Sequence, residues 1–164
     1  MKIHIIGPSG SGKTHFAKKL SLKHKLPHFD LDNLFWDNTS SQYGVKMPDE
    51  KRTEMLQAIL KKEGWIIEGI YYSWLEESFK LADKIFLLDV PRRVYILSLI
   101  KRFIMRKRHS EKHQRETVWT LAEILGWAYR YPEKNLPEIR QCLEKYGHKV
   151  IEVHKRSELK NYLS

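Results

Sequence analysis

The densest run of residues that could do chemistry is Gly7-Pro8-Ser9-Gly10-Ser11-Gly12-Lys13-Thr14. It satisfies G-x-x-x-x-G-K-[ST] in full, and each residue type has its own reason to be there. Glycines let the backbone curl until successive amides face one phosphate, where a side chain would block the approach. A helix that begins near Lys13 offers unpaired amides and the positive end of its dipole to the same anion. Lys13 supplies a cation to the β- and γ-phosphates, and Thr14 supplies a hydroxyl to a magnesium ion. The run Gly7, Ser9, Gly10, Ser11, Gly12, Lys13, Thr14, with His15 after it, is therefore expected to hold a nucleoside triphosphate.

A second set of groups is acidic and aromatic. Asp30-x-Asp32 lies at the end of a predicted strand, on the sheet edge where open α/β folds bind ligands. Strand alternation places both carboxylates on one face, although a helix cap or an Asx turn is an equally local use for Asp32. Glu68 ends another predicted strand, where it can join Thr14 and Asp30 in holding magnesium through water or simply face solvent. Asp89 ends a third strand and ranks below Glu68 as a metal-side acid. Trp36, Tyr71, Tyr72 and Trp74 follow strand ends and suit either stacking on a ligand or packing.

The third set is cationic. The chain carries 30 Lys and Arg against 20 Asp and Glu, a net charge of +10. Residues 92–115 hold nine of the bases and one acid, so this window carries +8 and the rest of the chain +2. Phosphoryl transfer spreads negative charge over the moving group, and arginines brought to it by a closing segment raise the rate by roughly three to five orders of magnitude. Arg102 and Arg106 are four apart and share a helix face. A solvated helix face, or a surface for DNA phosphates with Phe103, Trp119 and Trp127 beside it, is the other reading of the same bases. His109 and His113 are also four apart, with no third metal ligand near them in sequence.

These groups need a scaffold. Ile3–Ile6 reads as a buried strand, and residues 13–24 as a helix with Phe16, Ala17 and Leu20 inward, stopped by Pro27. Residues 27–31, 65–67, 85–90 and 149–153 read as further strands. Helices are expected over 48–63, from Ser73-x-x-Glu76 by its capping-box spacing, from Pro91 into the basic segment, over 116–130 and 137–146, and after Ser157 as a cap. Apolar strands alternating with helices indicate a parallel sheet covered on both faces. With 164 residues and 41% hydrophobic content a single domain over 1–164 is expected. Cys142 alone excludes a disulfide framework and a cysteine zinc cluster, and fits a reducing compartment. No apolar run approaches membrane-spanning length, and Gly7-Pro8 breaks the first apolar run too early for a secretory signal. The expected location is the cytoplasm.

The strings D-x-x-G and N-K-x-D of GTPases do not occur. The sequence instead resembles the adenylate-kinase-like branch of P-loop kinases, and more closely the bacterial proteins labelled topology modulation proteins. The resemblance rests on the phosphate loop, Leu31-Asp32-Asn33-Leu34-Phe35-Trp36, Trp65-Ile66-Ile67-Glu68-Gly69-Ile70-Tyr71, Leu88-Asp89-Val90-Pro91-Arg92, the stretch from Lys101 to Arg106, and Trp127-x-x-Arg130-Tyr131. It implies a P-loop NTPase fold with a five-stranded parallel sheet and a short helical lid at about 101–118. It also implies ATP and Mg2+, and transfer of the γ-phosphoryl group to a small-molecule acceptor by a monomer or weak dimer. By likeness to shikimate-kinase-like proteins, Asp32 would orient or deprotonate the acceptor hydroxyl, with Asp30 holding a magnesium water. Arg102 and Arg106 match the lid, and Arg130 and Arg140 fall where a returning helix contributes arginines. The sequence departs from the pattern at His15, where a hydroxyl residue or glycine is usual. It departs again at Glu68-Gly69-Ile70-Tyr71-Tyr72, which echoes an AMP-binding motif without its arginine. The topology-modulation label keeps one alternative open, an ATP-binding DNA-associated protein with no small acceptor.

Overall fold

The computed structural model describes residues 1–37, 39, 40, 44–109 and 118–163, and their side chains except at 106–109 and 118–120. Its strands are β1 (Lys2–Ile6), β2 (His28–Asp30), β3 (Trp65–Gly69), β4 (Lys84–Leu88) and β5 (Val150–Val153). They form one sheet in the order β2-β3-β1-β4-β5, and every pairing is parallel. β1 and β2 are neighbours in the chain but not in the sheet, where β3 lies between them, and each parallel return needs a crossover connection. The register sets Ile6 beside both Gly69 and Leu87, so the C-terminal ends of the three central strands open on one edge.

Among the described residues the α-helices are six: α1 (Lys13–His24), α2 (Asp32–Phe35), α3 (Asp49–Leu60), α4 (Glu76–Leu81), α5 (Arg92–His109) and α6 (Val118–Leu143). Strand alternation divides the core in two. Ile3 and Ile5 pack with Phe16, Ala17 and Leu20 of α1, the face expected of that helix. Ile6 turns the other way, into a cluster with Leu56, Ile59 and Leu60 of α3 and Phe79 of α4. Each large apolar side chain so buried contributes about 1.5–3 kcal/mol. Lys25 ends α1 in the left-handed region at φ 54°, its amide bonded to the Ser21 carbonyl, before Pro27 prevents any continuation.

Three helix expectations are corrected. Residues 118–143 form one helix, with Pro132 and Pro137 inside it, where two helices over 116–130 and 137–146 are expected. Pro132 has no N–H for the carbonyl four residues before it, that of Ala128. The buried Tyr95 hydroxyl of α5 donates to that carbonyl at 3.1 Å, so the orphaned acceptor is satisfied and the helix runs on. Ser73 does not cap α4, which starts at Glu76 with no side-chain cap. Ser157 does not cap the last helix either. That segment is a 3-10 helix over Arg156–Tyr162, and the Glu158 carboxylate instead reaches back to the His154 amide at 3.1 Å.

Candidate active site

The open sheet edge carries a cleft of about 410 Å³ lined by the phosphate loop, Asp30, Asp32, Glu68, Ser98, Arg102 and Arg156. The loop leaves β1 at Gly7, whose amide bonds to the Gly69 carbonyl at 3.3 Å. A Cβ on Gly7 would lie 2.8 Å from the Leu88 carbonyl oxygen, so only glycine lets the strand end pass β4. Gly10 (φ 80°) and Gly12 (φ 107°) occupy the left-handed region in which side chains are strained. A Cβ on Gly10 would also meet the Tyr95 carbonyl at 2.6 Å, which shows how closely the loop rests on α5. Ser9, Gly10, Gly12, Lys13, Thr14 and His15 face the cleft, whereas Ser11 is fully buried behind it.

Lys13 is 8% exposed, and its Nζ donates to the Pro8 carbonyl at 3.1 Å. Burial pulls its pKa down, opposed by the charges of Glu68, Asp32 and Asp30 and reinforced by that of Arg102. Glu68 is 2% exposed and lies within β3 rather than at a solvated strand end. Its Oε1 accepts the Thr14 hydroxyl at 2.6 Å, and His28 Nε2 lies 3.8 Å away, beyond hydrogen-bond reach but close enough for a charge. Burial would push the Glu68 carboxyl up; His28, Lys13 and Thr14 together outweigh it and hold the carboxyl below its ordinary value. Asp30 is pushed up, by burial first and then by Glu68. The two aspartates reach the cleft by a route other than strand alternation. β2 stops at Asp30, whose Oδ1 takes the Asp32 amide at 2.9 Å in an Asx turn, and Asp32 opens α2.

The arginines separate. Arg102 lines the cleft from an exposed turn of α5. Arg106 follows one turn later on α5, and its side chain lies outside the described residues, as do those of His109 and of 110–117. Arg130 is not brought to the cleft: its Nε donates to the Gly126 carbonyl of its own helix at 3.1 Å. Arg140 pairs with Asp89 at 2.9 Å and with Glu152 at 2.8 Å beyond the ends of β4 and β5, which engages Asp89 away from the phosphate loop. Arg156 was not legible as a cleft residue, because its partners stand 145 residues earlier. Its Nε donates to the Ser11 carbonyl at 2.9 Å, and one terminal nitrogen donates to the Gly10 carbonyl and to the Ser98 hydroxyl.

Aromatic residues flank Asp32. The Tyr71 hydroxyl donates to Asp32 Oδ1 at 2.8 Å, and burial followed by the Asp32 charge pushes the phenol up, so Tyr71 stays protonated. The Tyr71 ring stacks on Phe35 at 4.4 Å and tilts against Trp74 at 5.8 Å, and Trp36 meets Phe35 edge-on at 4.8 Å. Arg52 lies over Trp74, 4.7 Å from the ring centre. Tyr72 leaves this group and donates to Glu138 of α6.

The comparisons with known proteins follow this geometry. An adenylate kinase of Clostridium botulinum (strain Eklund 17B / Type B) is 28% identical over 116 residues, 56% of this chain and 54% of that protein. The uncharacterized protein YqaC of Bacillus subtilis (strain 168) is 28% identical over 105 residues, 63% of this chain and 57% of that protein. A gluconokinase structure from Sinorhizobium meliloti 1021 superposes with a TM-score of 0.53 at 16% identity, covering 99% of this chain and 86% of its own. The likeness is to P-loop kinases. The sheet order and the gluconokinase match make this an α/β P-loop NTPase fold. No family model matches the chain, and the chain spans about half the length of the curated relatives it matches. Among the described residues no helix is long and apolar enough to cross a membrane.

Proposed function

We propose that the chain is an ATP-dependent phosphotransferase acting in the cytoplasm on a small acceptor. One observation carries this reading: the buried Lys13 of the phosphate loop and the acceptor-side Asp32 line the same cleft, with Glu68 and Thr14 between them. Transfer to an acceptor requires a cation on the phosphate side and a carboxylate able to hold the acceptor hydroxyl in one cleft. Adenylate kinases and a gluconokinase, named for phosphotransfer to small acceptors, support the class.

The donor set fits magnesium. It is all oxygen, as a hard cation requires, and the Thr14 hydroxyl gives its proton to Glu68, which leaves its lone pairs for the metal. Thr14 would hold the ion directly, with Glu68 and Asp30 through water, and the ion would supply positive charge to offset that of the phosphates. Lys13 neutralises the same oxygens from the loop side, and the amides of Gly10, Gly12 and Lys13, with Ser9 and His15 at the rim, complete the cradle. Asp32 holds the acceptor hydroxyl on the oxygen that Tyr71 leaves open. It takes up the proton as the acceptor oxygen forms its bond to γ-phosphorus and the bond to the β-bridging oxygen breaks. Arg102 and Arg106 stabilise the charge on the transferred group when the segment at about 101–118 closes. Arg130 would have to release Gly126 to join them. The DNA-associated alternative rests on the bases of 92–115; of these Arg92 pairs with Glu133 and Arg102 lines the cleft, so the cleft geometry favours the kinase.

The test is a screen of ADP formation from ATP against nucleosides, nucleotides and small hydroxylated metabolites, with Lys13→Ala as the blank. An acceptor-dependent signal absent from the blank supports the reading. Undiminished turnover by Lys13→Ala overturns it.

A further inference from the structure

We infer that Arg156 is the positioning residue that aims the phosphate loop and couples it to α5; this rests on the reading of that loop as a nucleotide site. Arg156 follows β5 at the far end of the chain, yet its planar fork spans three acceptors at once: the carbonyls of Gly10 and Ser11 and the hydroxyl of Ser98 on α5. Among the described residues no carboxylate pairs with it. A guanidinium without an acid partner is bound by the loop's own backbone at the rim of the cleft.

The geometry of a peptide plane says what those bonds do. In a trans peptide the C=O of one residue and the N–H of the next point in opposite directions, and no bond among the described residues is cis. The Gly10 carbonyl shares its plane with the Ser11 amide, which turns back to the Pro8 carbonyl at 3.2 Å and closes the curl. The Ser11 carbonyl shares its plane with the Gly12 amide. Holding that carbonyl on the outside turns the Gly12 N–H toward the phosphate side. Within the loop Gly10 and Gly12 have positive φ, so their peptide planes are the ones least restrained by side chains. Arg156 restrains them from outside. Its Nε stands 3.5 Å from where a Gly12 Cβ would be, so the fork seats directly against the turn it fixes.

The bond to Ser98 adds a second consequence. Ser98 lies one helical turn before Arg102 on the same face of α5. Gly10 already packs against the Tyr95 carbonyl one turn earlier on that helix. Arg156 therefore ties the phosphate loop and the base of the arginine-bearing helix into one unit, so a loop shaped by triphosphate also sets where α5 points Arg102.

The test is calorimetric titration with a magnesium complex of a non-hydrolysable ATP analogue and, separately, with magnesium tripolyphosphate, which lacks base and ribose. The proteins are wild type, Arg156→Ala, Arg156→Lys and Ser98→Ala. Arg156→Ala is expected to weaken both ligands by the same factor, about 10- to 100-fold, because bonds from a charged donor are lost. Arg156→Lys keeps the charge but cannot span the acceptors, and should recover little of the loss. Ser98→Ala should cost a few-fold. The Gly12 amide resonance of 15N-labelled wild type should shift downfield on tripolyphosphate binding and do so much less in Arg156→Lys. Should Arg156→Ala fail to fold, the lysine and Ser98 variants carry the test. Wild-type affinity in Arg156→Lys, or a loss confined to the ATP analogue, overturns the inference and leaves the nucleotide reading standing. Failure of wild type to bind either ligand removes that reading and the inference together.

Discussion

Lys13 and Arg102 face the same cleft, and their surroundings are opposite. Lys13 is 8% exposed, bonded to its own loop, and ringed by Glu68, Asp32 and Asp30. Arg102 stands on an exposed turn of α5, where the helix leads into the basic segment. A cation that binds the ground-state triphosphate can be built in, because its partner has the same charge before and after binding. A cation that serves the charge of the transition state gains from arriving late, since an interaction made equally in the ground state does not speed the reaction. The loop side is therefore preorganised by burial, and the α5 side is left on the surface.

Substitutions can break this contrast. Lys13→Ala should lower ATP turnover by at least about a thousandfold, because the phosphate cation and the counter-charge to three carboxylates go together. Arg102→Ala should lower kcat by roughly 100- to 1000-fold while the Kd for ATP moves only a few-fold. Its thermal midpoint should stay within about 2 °C of wild type, as for other surface changes. Arg106→Ala should act in the same direction. Equal losses of binding and kcat in the Arg102 variant would erase the distinction.

Glu68→Gln sharpens the loop side. It keeps the shape and removes the charge that orients Thr14, so about 10- to 100-fold more magnesium should be needed for half-maximal rate. Tyr71→Phe leaves Asp32 without its phenolic donor, and should raise the KM for the acceptor by about tenfold or less with ATP binding unchanged.

The smallest effect on activity belongs to His4, buried in β1 against Phe79 of α4, with Nδ1 2.8 Å from the Ser78 hydroxyl. Burial holds its pKa down to about 3 against 6.5, with Glu68 opposing. Between those values the unfolded chain carries a proton that the folded one refuses, so stability rises with pH and is lost on acidification from about 6.5 toward 3. Glu68 is held below 4.5, so its own contribution is lost only as the pH falls below about that value. From pH 6.5 to 4.5, His4→Gln should flatten the thermal midpoint's slope by about 3–6 °C per pH unit. Activity at pH 7.5 should not change. An unaltered slope would show that His4 is not the group that makes the folded core acid-sensitive.

Where the determinants were local, the sequence could be read directly. The phosphate loop and Asp30-x-Asp32 are each contiguous, and Ser9, Gly10, Gly12, Lys13, Thr14, Asp30 and Asp32 meet in one cleft because parallel strands end on one edge. Glu68 was legible as a strand end, but its burial was not, since that depends on β1 and β2 flanking β3. Arg156 was hidden because its partners are distant in the chain and are mostly backbone carbonyls, which leave no mark in sequence. The gap expected between helices over 116–130 and 137–146 failed for a similar reason: the hydroxyl that satisfies Ala128, left without an N–H partner by Pro132, comes from Tyr95 on another helix. Arg130 looked like Arg102 in sequence, but its Nε is bonded to the Gly126 carbonyl of its own helix.

The most direct measurement of the central claim follows the phosphorus itself. ATP labelled in the γ-phosphate is incubated with magnesium, wild-type protein and the acceptor pool, and the label is traced. The account predicts that it appears in an organic acceptor in proportion to ADP, and that Lys13→Ala transfers none. Label released only as inorganic phosphate, or transfer undiminished in Lys13→Ala, would contradict it.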